Sequence, residues 1–168
     1  MAAGVVNALC TYVAANAYNG KGCVVWDGEV ARYGPGTGQS VSPESSGGQS
    51  HWPVIKIAAP SKFRRTWTFE EPYYDEGVIV VQIFHTTRAL AEETMDMIEL
   101  LLVSAANWTA IGALIPSPYR ENPHYLVQLL LEDWASYQIE GARTEKSQLV
   151  YTCELYFKCT IHGAIPVA

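Results

Sequence analysis

Basic residues are scarce in this chain, and the scarcity limits which partners it can have. Its 168 residues carry 11 Lys and Arg against 17 Asp and Glu, a formal net charge of −6. Proteins that hold nucleic acid over a broad surface cluster Lys and Arg there, because neutralised phosphates release counterions. The composition therefore argues against such a surface, although it allows DNA to pass nearby without being held.

Long apolar runs and secretion signals are also missing. No apolar run approaches the roughly 20 residues of a membrane-spanning helix, and the apolar N-terminus has no Lys or Arg in front of it. The four cysteines lack zinc-ligand spacing. Cys153 and Cys159 would lie about 20 Å apart on a straight strand, too far to bridge. We expect reduced thiols, assembly inside a cell and no membrane contact.

Recognisable catalytic and cofactor motifs are missing as well. The chain has no phosphate loop, no Gly-x-Ser-x-Gly elbow and no His-Glu-x-x-His pair. Gly34, Gly36 and Gly38 alternate within a Pro- and Ser-rich segment, not between a strand and a helix, so they are no dinucleotide signature. We predict no enzyme, no cofactor and no metal site. The alternative is a small enzyme with an unrecognised site near His85.

The strongest local pattern is an apolar strand that turns directly into a helix. Val78 to Phe84 is rich in β-branched residues, and its length and composition predict a strand covered on both faces. Thr86 or Thr87 can cap the following helix, because a threonine oxygen accepts from a first-turn N–H. The apolar stripe that this helix turns to the sheet is predicted to contain Leu90, Thr94, Met97, Ile98 and Leu101.

Two further segments precede the central strand. Helical spacing of apolar residues predicts a first helix over residues 5–17. Residues 28–50 are rich in Gly, Ser and Pro and predict a long loop, or an arm that folds against a neighbouring subunit. Strands are predicted over 54–58 and 62–69, with Pro60 forming an edge, a bulge or a break between them.

A long hairpin is predicted to close the chain. Residues 108–122 hold Pro116 and Pro118, with Pro123 directly after them, and are predicted to form a loop. Period-two alternation over 124–137 and 148–162 then predicts two antiparallel strands. The sequence thus predicts one α+β domain over residues 1–168. Its mainly antiparallel sheet has about four strands, with two principal helices on one face and a long C-terminal β-hairpin.

Two groups of charged residues are candidate sites. Glu92, Glu93, Asp96 and Glu99 are predicted to stay unpaired on the main helix, either as a solvated face or as a negative surface turned to a channel or a basic partner. The candidate subunit or partner contacts are their basic counterparts, Lys62, Arg64 and Arg65, with Arg143 and Lys146 on the predicted hairpin loop. These cations can belong to another copy of the chain.

The order of elements resembles the tail terminator, or tail completion, proteins of tailed bacteriophages. The likeness covers nearly the whole chain and rests on PVIKI opening the sheet, VIVVQIF followed by a helix, and LVYTCELYFKCTIHG as the closing strand. It implies an α+β domain with helices on one sheet and no catalytic residues. It also implies a hexameric ring that caps the tail tube and joins the tail to the head connector. Residues 28–50 are longer than the resemblance leads us to expect.

The resemblance implies a structural virion protein at the head–tail junction, assembled in the host cytoplasm. Its partners are then further copies of the chain, the tail tube protein and the connector protein, while DNA passes through without specific binding. Acidic groups repel DNA over about 8 Å at physiological salt. We therefore expect Glu92, Asp96 and Glu99 on the channel wall, or alternatively Glu132 and Asp133. Another connector or tail-tube component is the alternative within the same machinery.

Overall fold

The described residues form one mainly antiparallel sheet with three helices packed on one of its faces. The computed structural model describes residues 2–17, 24–26, 31–33, 53–66, 74–115, 126–143 and 149–162. The helices are α1 (Ala2–Asn16), α2 (Arg88–Val103) and α3 (Ala105–Ala113). The strands are β1 (Val24–Trp26), β2 (Ala31–Tyr33), β3 (Val54–Ala58), β4 (Arg64–Thr66), β5 (Tyr74–His85), β6 (Leu126–Arg143) and β7 (Leu149–His162). The predicted α+β class, helices on one face and terminal hairpin are confirmed.

The sheet has seven strands in the described residues, against the predicted four or so. Their order is β2-β1-β3-β5-β7-β6, with β4 paired to β5, and β1–β3 is the parallel pair. The extra strands β1 and β2 have three residues each, too few for alternation to show in the sequence. Strand β4 lies within the strand predicted over 62–69. Strand β2 lies within the predicted loop over 28–50; the rest of that loop or arm lies outside the described residues.

Pro60 separates two strands that pair with different parts of β5. Strand β3 pairs with Val80 to Phe84, and β4 pairs with Tyr74 to Glu76. Proline cannot donate a hydrogen bond to a ladder, so the chain leaves the sheet at Pro60 and returns at β4. The predicted break at this proline is confirmed.

The central strand is covered by helices on one face, not on both as predicted. Ile79, Val81 and Ile83 are fully buried beneath the helices, whereas Val78 and Val80 on the opposite face are half-buried. Side chains alternate across a strand, and no helix of the described residues lies on the second face. Apolar residues on both faces made the sequence typical of a doubly covered strand.

Helix α2 packs through a stripe that differs from the predicted one. Thr87 is its N-cap, as predicted, and its Oγ1 accepts a hydrogen bond from the Leu90 N–H at 3.4 Å. Leu90 is exposed, and Met97 and Leu101 lie at the margin of the core. The buried residues are Ala91, Thr94, Met95, Ile98 and Leu102. Adjacent leucines at the end of the helix fit either stripe, so tertiary packing decided between them.

Residues 105–113 form helix α3, where the sequence predicted a loop from Trp108 onward. The Asn107 amide donates to the Leu101 carbonyl at 2.8 Å, and the Trp108 indole N–H donates to the Leu102 carbonyl at 2.8 Å. These bonds satisfy carbonyls at the end of α2 that have no helical partner. The chain can therefore begin a new helix at once, and the prolines that suggested a loop follow α3.

The terminal hairpin is longer than predicted because β6 continues to Arg143. Register shifts interrupt its pairing with β7 between Leu131 and Asp133 and between Gln138 and Arg143. The first shift inserts Glu132 as a bulge, which breaks the sequence alternation at that point. Of the predicted loop near 139–147, residues 139–143 belong to β6, and the others lie outside the described part of the chain.

The Thr87 cap gives a first test of the fold. We expect Thr87→Ala to lower the free energy of unfolding by about 1 kcal/mol, because the Leu90 N–H loses its acceptor. Urea unfolding followed by circular dichroism measures the change. Thr87→Ser keeps the oxygen and is the matched control. Equal stability of both variants and the wild type would show that the cap contributes nothing.

Candidate functional site

The helix-free face of the sheet carries a groove of about 400 Å³ that joins residues from four strands. Strand pairing sets Arg64 opposite Glu76 and Val78 opposite Lys158. We call this depression the charged groove. It is lined by Ser61, Lys62, Arg64, Glu76, Gly77, Val78, Glu132 and Lys158.

The charges of this groove are only partly neutralised within the chain. The Lys158 ammonium lies 3.2 Å from a carboxylate oxygen of Glu76. Exposed pairs of this kind contribute less than about 1 kcal/mol to stability. Lys62 and Arg64 are exposed, and neither forms an ion pair with the residues that the structure describes. Two predicted contact residues therefore lie together at a surface where a partner carboxylate can reach them.

Arg65, the third predicted contact residue of this segment, points to the other face of the sheet. Its guanidinium donates two hydrogen bonds to the carboxylate of Asp75, at 2.9 and 3.3 Å. Asp75 is buried, and a bidentate pair of this kind fixes both side chains. The contact of Arg65 with another subunit stays a prediction; within the chain its guanidinium is paired with Asp75.

Arg143 does not join the charged groove. Arg143 was predicted in a loop but ends strand β6, where it pairs with Leu149. Leu149 is nine residues from Lys158 along β7, which separates them by about 30 Å at the usual strand rise. Lys146 lies outside the described residues. The five predicted basic contacts therefore do not form a single site.

Glu92 is paired, contrary to the prediction for the acidic helix face. Its carboxylate accepts from the Arg88 guanidinium at 2.8 Å and from the Ser136 hydroxyl at 3.1 Å. Arg88 precedes it by four residues, the spacing at which helical side chains meet. The hydrogen bond from Arg88, followed by that from Ser136, lowers the pKa of Glu92. The Glu92 carboxylate links α2 to β6 through Ser136, so it is not an unpaired charge available for a channel wall.

The outermost line of α2 carries the remaining acidic charge. Ala89, Glu93, Asp96 and Leu100 are all exposed and recur at helical spacing opposite the buried stripe. We call these four residues the acidic stripe. Glu99 lies half-exposed on its flank. No ion pair engages these carboxylates in the part of the chain that the structure describes.

On the helix-free face, the Glu154 carboxylate is the centre of a cluster of hydrogen bonds. Glu154 is 8% exposed and accepts hydrogen bonds from the Gln82 amide at 2.6 Å, the Tyr137 hydroxyl at 2.9 Å and the Tyr156 hydroxyl at 2.5 Å. Burial raises the pKa of this carboxyl, but the three donors outweigh burial and hold it below its ordinary value. The same bonding raises the pKa of Tyr156 to about 12. The cluster fixes two tyrosine rings on this face.

Burial shifts the pKa values of His85 and of two cysteines among the described residues. The backbone N–H of Thr86 donates to Nδ1 of His85 at 2.8 Å, and burial lowers the pKa of the ring despite nearby Glu93. His85 is therefore neutral near pH 7. Burial also raises the pKa of the Cys153 thiol and that of Cys159, the latter to about 12. Such thiols are poor nucleophiles.

Sequence reasoning missed the partners that complete these sites. Lys158 occupies a polar position of a predicted strand and Glu76 precedes the strand predicted from Val78, but only the β5–β7 register brings them together. Glu154 also sits on the polar side of β7, and no sequence signal shows that three neutral donors surround it. Arg88 could have been recognised from the sequence as the partner of Glu92, because the two residues are four apart on a predicted helix.

No protein-family model matches this chain, and no curated protein matches it. Within the described residues, no group of three or more His, Cys, Asp or Glu side chains is placed to hold a metal ion. The described helices include none that is long and apolar enough to cross a membrane. The functional argument therefore depends on the geometry of the sheet and its charged surfaces.

Proposed function

We propose that this chain is a structural virion protein, a tail terminator whose copies form a hexameric ring. The ring caps the tail tube and joins the tail to the head connector, and DNA passes through it without specific binding. Support comes from the order of elements that suggested the family: β5 runs directly into α2, and a long hairpin closes the sheet.

The observation that carries the proposal is the surface on the helix-free face. Val78, Val80 and Phe84 are half-buried there, beside the charged groove. Subunit interfaces commonly combine an apolar centre with a polar and charged rim. A sheet with helices on one face thus presents its second face for assembly.

The same surface bears on the alternatives. Another connector or tail-tube component would also need such an assembly face, so the structure supports both roles within this machinery. A small enzyme would need reactive groups, and among the described residues burial raises the pKa of the Cys153 and Cys159 thiols, which disfavours the nucleophilic thiolate. The ring therefore has the stronger support.

The mass of the purified protein gives the direct test. We expect a mass near six times 18.5 kDa by light scattering at physiological salt, alone or with its tail tube partner. Electron micrographs of the same sample should show rings with a central opening. A strict monomer in the presence of the tube and connector proteins would contradict the proposal.

A gene deletion separates a terminator from the other virion components. Without a terminator, tails should form with irregular lengths and should fail to join heads. Loss of tubes altogether would indicate a tube component, and normal tails beside unfilled or leaking heads would indicate a connector. Normal virions with a metabolic defect would indicate an enzyme.

A further inference from the structure

Two pairs of like-charged residues have opposite sign, lie on opposite sides of the sheet and form no ion pair with the residues that the structure describes. Lys62 and Arg64 border the charged groove on the helix-free face. Glu93 and Asp96 belong to the acidic stripe on the outer surface of α2, which packs on the other face. None of these four residues forms an ion pair with another described residue.

The charged groove is shaped to receive side chains from a partner. Lys62, Arg64 and Lys158 surround it, with Val78 among the lining residues, and the Lys158–Glu76 pair occupies one cation and one anion. Glu132 is the remaining acidic member. The volume of the charged groove, about 400 Å³, accepts several side chains but not a whole helix. A partner must therefore present carboxylates and a small apolar group from a convex surface.

The acidic stripe presents that combination. Leu100 is 71% exposed and follows Asp96 by one helical turn, so an apolar side chain projects beside the carboxylates. On the opposite surface, Leu130 is 54% exposed and lies directly across from Lys158 in the β6–β7 ladder. Both surfaces thus carry an exposed leucine next to charge, which is the composition of an interface centre and its rim.

The β6 edge of the sheet is less suited to a neighbour. Strand β6 is the last strand in the order, and edge strands can pair with another chain. The bulge at Glu132 interrupts this edge, and the Asp133 carboxylate accepts the Trp134 backbone N–H at 2.8 Å. Bulges and occupied amides discourage strand pairing. Side-chain docking is therefore the better supported contact.

We infer that the charged groove of one copy receives the acidic stripe of a second copy. This inference rests on the proposed ring, and it names the two surfaces that close it. Because the two surfaces differ and face away from each other, the contact is head-to-tail, and repeated contacts of this kind build rings or filaments. Lys62 and Arg64 then bind Glu93 and Asp96 of the neighbour, and Leu100 contacts Val78 and Leu130.

This docking gives Asp96 a different position from the channel wall that the sequence suggested. A wall residue is needed only while DNA moves, whereas an interface residue is needed for the ring to form. The two positions therefore differ in what charge reversal does to assembly. Raising the salt concentration should also weaken the inferred contact, because exposed charges are screened.

Paired charge reversals provide the experiment. The groove variant is Lys62→Glu with Arg64→Glu, and the stripe variant is Glu93→Lys with Asp96→Lys. We expect each variant alone to need a roughly tenfold or higher protein concentration to form oligomers. An equimolar mixture of the two should assemble again, because each reversed surface meets its reversed counterpart and each native surface meets its native one. Sedimentation velocity measures all four samples, including the wild type.

The controls place charge changes of the same signs, but half the size, on α3, where Thr109 and Ala113 are exposed. Thr109→Lys with Ala113→Lys, and the corresponding pair of Glu substitutions, should assemble as the wild type does. Circular dichroism checks that every variant is folded. Recovery in the mixture cannot come from unfolded chains, so it supports the docking even where single variants are less stable.

The outcomes separate this inference from the proposed function. Rings formed normally by both reversed variants would overturn the docking and leave the acidic stripe free for the channel wall, with the ring intact. Failure of the mixture, when both variants are folded and impaired, would show that the two surfaces do not bind each other. A wild-type protein that stays monomeric with its partners present would overturn the ring itself.

Discussion

Replacing Glu154 by Gln should lower the free energy of unfolding by about 1.5–3 kcal/mol, the usual contribution of hydrogen bonds to a charged group. The change keeps the shape of the side chain but replaces one acceptor oxygen by an N–H₂ group. Gln82, Tyr137 and Tyr156 donate to this carboxylate, so one of them must meet a donor or turn away. Urea unfolding at neutral pH measures the loss.

Tyr156→Phe is the matched control for that result. It removes one hydroxyl and leaves the buried carboxylate with two donors, so its loss should be smaller than that of Glu154→Gln. A Glu154→Gln protein as stable as the wild type would show that the cluster contributes nothing to the fold. The two tyrosines would then be held by packing alone.

The same cluster sets a pH dependence at both ends of the scale. The pKa of Glu154 is lower in the folded chain, so its contribution to stability is present above the unfolded pKa of about 4.3 and is lost as pH falls through the folded value. The pKa of Tyr156 is raised to about 12, so its contribution is present below about pH 10 and is lost as pH rises through 12. Glu154→Gln should bring the Tyr156 titration, measured by ultraviolet absorbance against Tyr156→Phe, back toward 10.

Local patterns predicted the elements whose signals lie close together in the chain. The alternation of β7, the cap at Thr87 and the break at Pro60 each depend on a few neighbouring residues, and all three appear in the structure. Helix α3 was missed because the nearby prolines outweighed its alanines. Its start depends on side chains of Asn107 and Trp108 that bond to α2, and this is a tertiary effect.

The candidate site was predictable only as a list of charges. The sequence placed Lys62 and Arg64 in one segment, and the structure keeps them together. It could not place Lys158 beside them, because that depends on β4 and β7 flanking β5 in a particular register. Alternation along the predicted strand put Arg64 and Arg65 on opposite faces, but the sequence could not show that Asp75 binds Arg65.

Gly77 links the packing of β5 to the position of the groove cations. The Phe63 ring packs against this glycine, and a Cβ added there would lie 2.6 Å from Phe63 Cε1, closer than atoms can approach. Phe63 stands between Lys62 and Arg64 in the chain, so its ring anchors the segment that carries both cations. A side chain at position 77 must therefore displace the ring and move the wall of the charged groove.

Gly77→Val should accordingly cost about 1–3 kcal/mol of unfolding free energy, the range for an overpacked site. The double variant Gly77→Val with Phe63→Ala removes the clashing ring, and we expect it to be less destabilised than the sum of the two single variants. A double-mutant cycle from urea unfolding measures this coupling. If the two single effects simply add, Phe63 does not fill the space above Gly77, and the anchoring of Lys62 and Arg64 must come from β4 pairing alone.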